Sequence, residues 1–315
     1  MNKNFLLVSQ PISINNEIEI FPGYILKKPD STQLEIIFNY YRFSSNMAFL
    51  MTRPEYETQE RQIDDKTTIH DHLEQSEWKY AIIEYEGMNY DYNLIDSLRL
   101  SDSRIEIICD IMLSISGKEN DGLAYRDYDP IVTMVSNLNK KKEVYDLTKS
   151  TLDINEILLV KEQLKILGKN SSDYPMTTEA IRAYKALSKL EKNSYLRILS
   201  LVSIIEYFIV HNPIDSNDSI TRQIKNKFTL LNKLFHKPIL TSNFFQKDIS
   251  SDKIISNIYS LRSNIAHGIT FELHKEQVRY LESFDKVVNF LDAFCRRLII
   301  FSIINSNLMK DIKNI

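Results

Sequence analysis

Arg262 and His267 stand five residues apart in the run Arg262-Ser-Asn-Ile-Ala-His267 and are of types that can act together on a phosphate. A guanidinium is permanently charged and presents its donors in a planar fork that matches phosphate oxygens. An imidazole exchanges a proton near neutral pH and serves as either acid or base. Ser263 and Asn264 precede His267 by four and three residues, the spacing at which neighbours on a helix reach its ring and select a tautomer.

Glu206 is the only charge between Ile198 and Val210, in a stretch otherwise fit for burial. A buried carboxylate needs a partner. Arg262 and Arg222 are the candidates, and a solvent-facing Glu206 is the alternative. Arg222 by itself has the character of a surface residue.

The elements that must position these groups are helices. From Asp153 the apolar period becomes helical, with Asp153 as N-cap, Glu156 three residues on and Gly168 closing the segment. A second helix starts after Pro175, with Thr177 or Thr178 as cap. A third, Tyr195 to Val210, is apolar on nearly every face and must be central. A fourth spans Ser219 to Phe235, a fifth Asp252 to His267, and a long last one Lys275 to Met309. On the fifth, Ile254, Ile258, Leu261 and Ile265 form a core stripe flanked by Arg262, and Gly268 supplies a left-handed stop. Five residues correspond to about 140° around an ideal helix. Arg262 and His267 therefore converge only through the cap geometry or a second subunit.

The first half differs. Asn4-Phe-Leu-Leu-Val-Ser, Glu17 to Phe21, Gly23 to Leu26, Leu34 to Tyr41 and Lys79 to Glu86 are short β-branched and aromatic runs separated by Pro and Gly. Five of eight Pro and five of six Gly precede residue 170, in keeping with strands first and helices after. The expected class is α+β: a β-rich or mixed domain over residues 1–152 and an all-α bundle over residues 153–315. Thr52 to Thr68 has the polarity of a loop, and Asn137 to Glu143 that of a connector. Residues 1–152 carry a net charge of −9 and residues 153–315 a net +6, which suits the basic half either to a polyanion or to an ordinary solvated helical surface rich in Lys.

Composition narrows the classes further. No stretch of about twenty apolar residues suggests a membrane span, and the first residues turn polar too soon for a secretion signal, so the expected location is the cytoplasm. Cys109 and Cys295 are too isolated for a disulfide framework or a zinc site. His70 and His72, with Asp64, Asp65 and Asp71 nearby, offer a metal site only against the commoner alternative of a solvated loop. Trp78, Tyr80, Tyr85, Tyr90 and Tyr92 suit core packing better than a ligand surface. Neither a Gly-rich phosphate loop nor a Ser-hydrolase or zincin motif occurs.

The stretch Ile258-Tyr-Ser-Leu-Arg-Ser-Asn-Ile-Ala-His-Gly268 resembles the Arg-x4-6-His motif of HEPN domains, in the form Tyr-x-x-Arg-Ser-x-hydrophobic-x-His-Gly of the Apea-like branch. Tyr259 belongs to that pattern. The order of the preceding helices is also similar: one bearing Ala180 and Tyr184, an apolar one with Glu206, and one with Arg222. The likeness covers roughly residues 153–300 and does not reach the N-terminal half.

What the resemblance implies is a helical domain that pairs with a second copy and acts as a metal-independent endoribonuclease without cofactor. Arg262 would hold the scissile phosphate, and His267 would be the base on the ribose 2′-hydroxyl or the acid on the 5′-oxygen. The family setting is antiviral defence, with a phage-derived or protein trigger acting through the N-terminal domain. Ile269 stands where one toxin subclass has a modified tyrosine, so that modification is not expected. The alternative function is a catalytically silent module that binds RNA or a protein and dimerises the N-terminal domain.

Overall fold

Phe5-Leu-Leu-Val8 is apolar without alternation, the pattern of a strand covered on both faces. It forms β1 (Lys3–Val8), near the middle of a sheet. The computed structural model describes residues 3–8, 11–14, 16–45, 54–63, 67–87, 91–102, 105, 107–114, 124–125, 145–146, 152–169, 174–187, 190–191, 194–212, 218–269 and 279–314. Contacts divide the chain into two units, Met1–Glu162 and Gln163–Ile315. The expected connector at Asn137 to Glu143 lies outside the described residues.

The first unit holds β2 (Ile12–Ser13), β3 (Ile18–Phe21), β4 (Tyr24–Lys27), α1 (Ser31–Ser45), α2 (Pro54–Glu57), β5 (Thr58–Gln62), β6 (Thr68–His72), β7 (Ile82–Glu86), α3 (Tyr92–Leu100), β8 (Ile107–Ser114), β9 (Ala124–Tyr125) and β10 (Tyr145–Asp146). Six strands make one antiparallel sheet in the order β3-β4-β7-β1-β8-β9, with Lys3 opposite Glu86 and Leu26 opposite Ile83. Alternate residues serve opposite cores, as the pleat requires. Leu6, Val8, Ile83 and Tyr85 pack with Leu94 and Leu98 of α3 and with Ile157. Phe5, Leu7 and Ile82 pack on the other face with Leu34 and Ile37 of α1 and with Tyr56 and Tyr80.

Two expectations for this half fail. Leu34 to Tyr41 is helix α1, because Asp30 and Gln33 form a capping box: the Asp30 carboxylate accepts from the Gln33 N–H at 2.8 Å and the Gln33 amide oxygen from the Asp30 N–H at 2.9 Å. Thr52 to Thr68 is not all loop, since β5 and β6 form an exposed hairpin pairing Thr58 with His72 and Gln62 with Thr68. Tyr80 and Tyr85 are buried and Trp78 is partly buried, but Tyr92 is exposed; Tyr90 lies outside the described residues.

Among the described residues seven α-helices follow: α4 (Ile154–Lys169), α5 (Pro175–Ala186), α6 (Tyr195–Ile209), α7 (Ile220–Leu234), α8 (Ser251–Ala266), α9 (Phe284–Ile304) and α10 (Ser306–Asn314). The class is α+β, strands in the first half and helices dominating the second. Asp153 accepts from the Glu156 N–H at 2.9 Å, and Ser194, Ser219, Ser250 and Ser283 cap α6, α7, α8 and α9 through the N–H three residues on. Thr177 and Thr178 are not the α5 cap; Pro175 opens the helix and the Thr178 hydroxyl donates to the Tyr174 carbonyl at 3.0 Å. Gly168 lies inside the last turn of α4 rather than after it.

The last helix is also shorter than expected. The chain enters it through Glu282, at φ +58, and the Ser283 cap, and Asn305 interrupts it before α10 begins. Residues 275–278 of the expected span lie outside the described residues. Within this unit α6 and α9 are apolar almost all round and pack on each other, with α8 laid against α6 and α7. Phe228, Phe235, Phe290, Phe294 and Phe301 interlock largely edge to face beneath them. Arg296 is buried with its charge met by Asp292 at 3.1 Å, and the Tyr184 hydroxyl donates to the same carboxylate at 2.7 Å.

Candidate active site

α8 sits with Ile254, Ile255, Asn257, Ile258 and Leu261 buried, while Ile265, expected in the same stripe, is half-buried. Tyr259 and Arg262 flank that stripe three residues apart, so they share one side of the helix. Opposite them is α6, whose apolar faces are taken by Ile204, Ile205, Phe208 and Ile209. Glu206 is the one charged residue there that reaches toward α8. Its Oε2 lies 3.4 Å from Arg262 Nη2, and its Oε1 accepts from the Tyr259 hydroxyl at 3.1 Å.

Of the partners considered for Glu206, the structure selects Arg262. Arg222 is exposed at the start of α7, where its backbone N–H meets the Ser219 cap. The Arg262 side chain is 36% exposed and that of Glu206 19%, so the ion pair is neither fully buried nor free in solvent. Burial, and then the adjacent Glu206 carboxylate, push the Tyr259 phenol far above its ordinary value of 10.0. It is therefore a hydrogen-bond donor throughout the range in which proteins work.

His267 is the C-cap of α8, at φ −94 and ψ 4, and its side chain is exposed. Gly268 follows at φ +65. The Gly268 N–H donates to the Ile265 carbonyl at 3.1 Å and the Ile269 N–H to the Asn264 carbonyl at 2.9 Å, the two bonds of a Schellman motif. Ser263 and Asn264 do not hold the imidazole as expected. Ser263 accepts from the His267 backbone N–H at 3.0 Å through its own carbonyl, and among the described residues no side chain bonds the ring. The chain leaves the helix at His267, which takes the ring off the row of its neighbours. Glu206, Tyr259 and Arg262 are thus brought together within one chain, and His267 is presented separately at the helix end.

A polar cluster that sequence reasoning missed lies at the far end of α6. The Lys227 ammonium donates to the Ile209 and Lys313 carbonyls, both at 2.9 Å, and lies 3.0 Å from His211 Nδ1. The same Nδ1 lies 3.0 Å from the Lys313 carbonyl, and Nε2 lies 3.0 Å from Asp218. Burial lowers the Lys227 pKa, opposed by the Asp218 charge and reinforced by Lys313. One buried lysine closes the carbonyl ends of α6 and α10. Nothing local marks it, because its partners lie 18 and 86 residues away.

His70 and His72 lie exposed on β6, and among the described residues no group of three His, Cys, Asp or Glu could hold a metal ion. Cys295 is buried and free, its thiol pushed well up by burial; the Cys109 side chain lies outside the described residues. Among the described residues no helix is long and apolar enough to cross a membrane. Comparison with known proteins found no matching family model, no similar curated protein and no similar solved structure. The chemistry must be read from the site alone. It offers an oriented, partly exposed guanidinium and an exposed imidazole with no protein partner among the described residues.

Proposed function

We propose that the helical unit is a metal-independent endoribonuclease of the HEPN type, working as a homodimer in the cytoplasm. The RNA phosphate binds Arg262. His267 takes the proton of the ribose 2′-hydroxyl, the oxygen attacks phosphorus, and the bond to the 5′-oxygen breaks as that oxygen takes up the proton the imidazole removed, so that none is gained or lost overall. The products are a 2′,3′-cyclic phosphate and a 5′-hydroxyl, and DNA, lacking the nucleophile, is not cut. A second copy supplies the convergence that one chain, with Arg262 on the side of α8 and His267 at its C-cap, does not. In this reading the acidic N-terminal unit senses a phage-derived or protein trigger and the effect is antiviral.

The observation that carries the reading is the Glu206–Arg262 pair. Glu206 holds the guanidinium on one side of α8 while leaving much of its fork open to solvent, the arrangement a phosphate-binding arginine requires. The test is cleavage of single-stranded RNA by the purified full-length protein. Arg262→Ala and His267→Ala are each expected to lower the rate by roughly 10²–10⁴-fold, the range of a lost proton-transfer or charge-stabilising group. Cleavage at the unaltered rate in either variant refutes the assignment. Retained RNA affinity with no cleavage by the unaltered protein would favour a silent binding module instead.

A further inference from the structure

We infer that Tyr259 is a positioning residue that keeps Glu206 from pairing with two donors of Arg262 at once, so that an edge of the guanidinium stays open to a phosphate. This rests on the assignment of Arg262 as the phosphate-binding group. A carboxylate and a guanidinium pair best as a fork, two parallel N–H···O bonds at about 2.7–2.9 Å. Here only one Glu206 oxygen touches Arg262, at 3.4 Å, because the other is taken by the Tyr259 hydroxyl at 3.1 Å. Among the described residues no other group bonds the Arg262 side chain.

The environment makes the hydroxyl decisive. Glu206 projects from a helix on which Ile205, Phe208 and Ile209 are buried and apolar, so once Oε1 loses the phenol the charged donor already in contact with the carboxylate is Arg262 itself. Tyr259→Phe removes one oxygen, keeps the ring and frees the carboxylate to close on the fork. The arginine then remains in place but occupied, and a phosphate must displace Glu206 before it binds. Glu206→Gln undoes this, because an amide presents one acceptor and cannot fork.

The experiment uses the full chain and the arginine reagent phenylglyoxal, with modification at Arg262 followed by mass analysis of its peptide. Tyr259→Phe is expected to slow modification of Arg262 by about three- to tenfold, the effect of one further charge-assisted bond at a partly exposed site. Tyr259→Phe combined with Glu206→Gln is expected to return it to the unaltered rate. On an RNA substrate the same two variants should raise and restore KM with kcat unchanged. Modification of the Tyr259→Phe variant at the unaltered rate, or slowing that Glu206→Gln does not relieve, overturns the inference. The arms separate the two claims: a protein that cuts no RNA yet shows slowing and rescue retains the Tyr259 role and loses the nuclease, whereas cleavage with unchanged Arg262 reactivity does the reverse.

Discussion

Replacing Glu206 by alanine should cost the helical unit about 2–3 kcal/mol, and nearly all of it should come from the tyrosine rather than the arginine. The ion pair is long, at 3.4 Å, and Arg262 is a third exposed, so its share lies at the low end, about 0–1 kcal/mol. The Tyr259 hydroxyl donates to Glu206 from a largely desolvated position, and leaving it without an acceptor costs about 1–3 kcal/mol. For a domain of this size each kcal/mol moves the melting temperature by roughly 2–4 °C, so Glu206→Ala should melt about 4–12 °C lower by far-ultraviolet circular dichroism. Adding Tyr259→Phe removes the orphaned hydroxyl and should recover about 1–2 kcal/mol, making the double variant more stable than Glu206→Ala alone. Glu206→Gln keeps an acceptor and should cost under about 1 kcal/mol. Strictly additive losses, or a Glu206→Ala variant as stable as the parent, would mean that the carboxylate and the phenol are not coupled.

Gly268→Ala should destabilise by about 1 kcal/mol through its backbone alone, since φ is +65 and an added Cβ would meet nothing within 4 Å; thermal unfolding reads it. Lys227→Met should leave the Ile209 and Lys313 carbonyls without their donor, costing about 1–3 kcal/mol, with faster amide hydrogen exchange over Met309 to Lys313 than in the parent. At alkaline pH the Tyr184 and Tyr259 phenols hold their protons more tightly when folded, first through burial and then through Asp292 and Glu206, so the stability they contribute is whole below about pH 10 and lost above it. Lys227, lowered by burial, works in the opposite sense and in a lower window, its cost easing as pH rises toward 10.5. Helical signal should therefore fall together with a late class of tyrosine ionisation; complete ionisation with the helices intact would contradict it.

Most of the helical half was legible because its limits are written locally: Pro175, the serines at 194, 219 and 250, and Gly268 act through bonds spanning a few residues, whereas the Ser283 cap and the break at Asn305 were not read within the span Lys275 to Met309. The errors arose where composition masked a cap. Leu34 to Tyr41 is rich in aromatic and branched residues, yet Asp30 and Gln33 three residues apart mark a helix start. The β5–β6 hairpin carries no alternation of apolar and polar residues, because it is exposed, so nothing distinguished it from loop. In the site, a lone glutamate on an apolar helix called for a partner, but the choice between Arg222 and Arg262 spans dozens of residues and is settled only by how α6 meets α8. The same holds for the link from Tyr259 to Glu206, 53 residues apart.

The chemical nature of the RNA ends left by the purified full-length protein tests the central claim most directly. Attack by the 2′-hydroxyl under the guidance of Arg262 and His267 predicts 2′,3′-cyclic phosphate and 5′-hydroxyl termini, absent when His267 is alanine. Termini bearing a 3′-hydroxyl, or the same cyclic ends at the same rate from the His267→Ala protein, would contradict it.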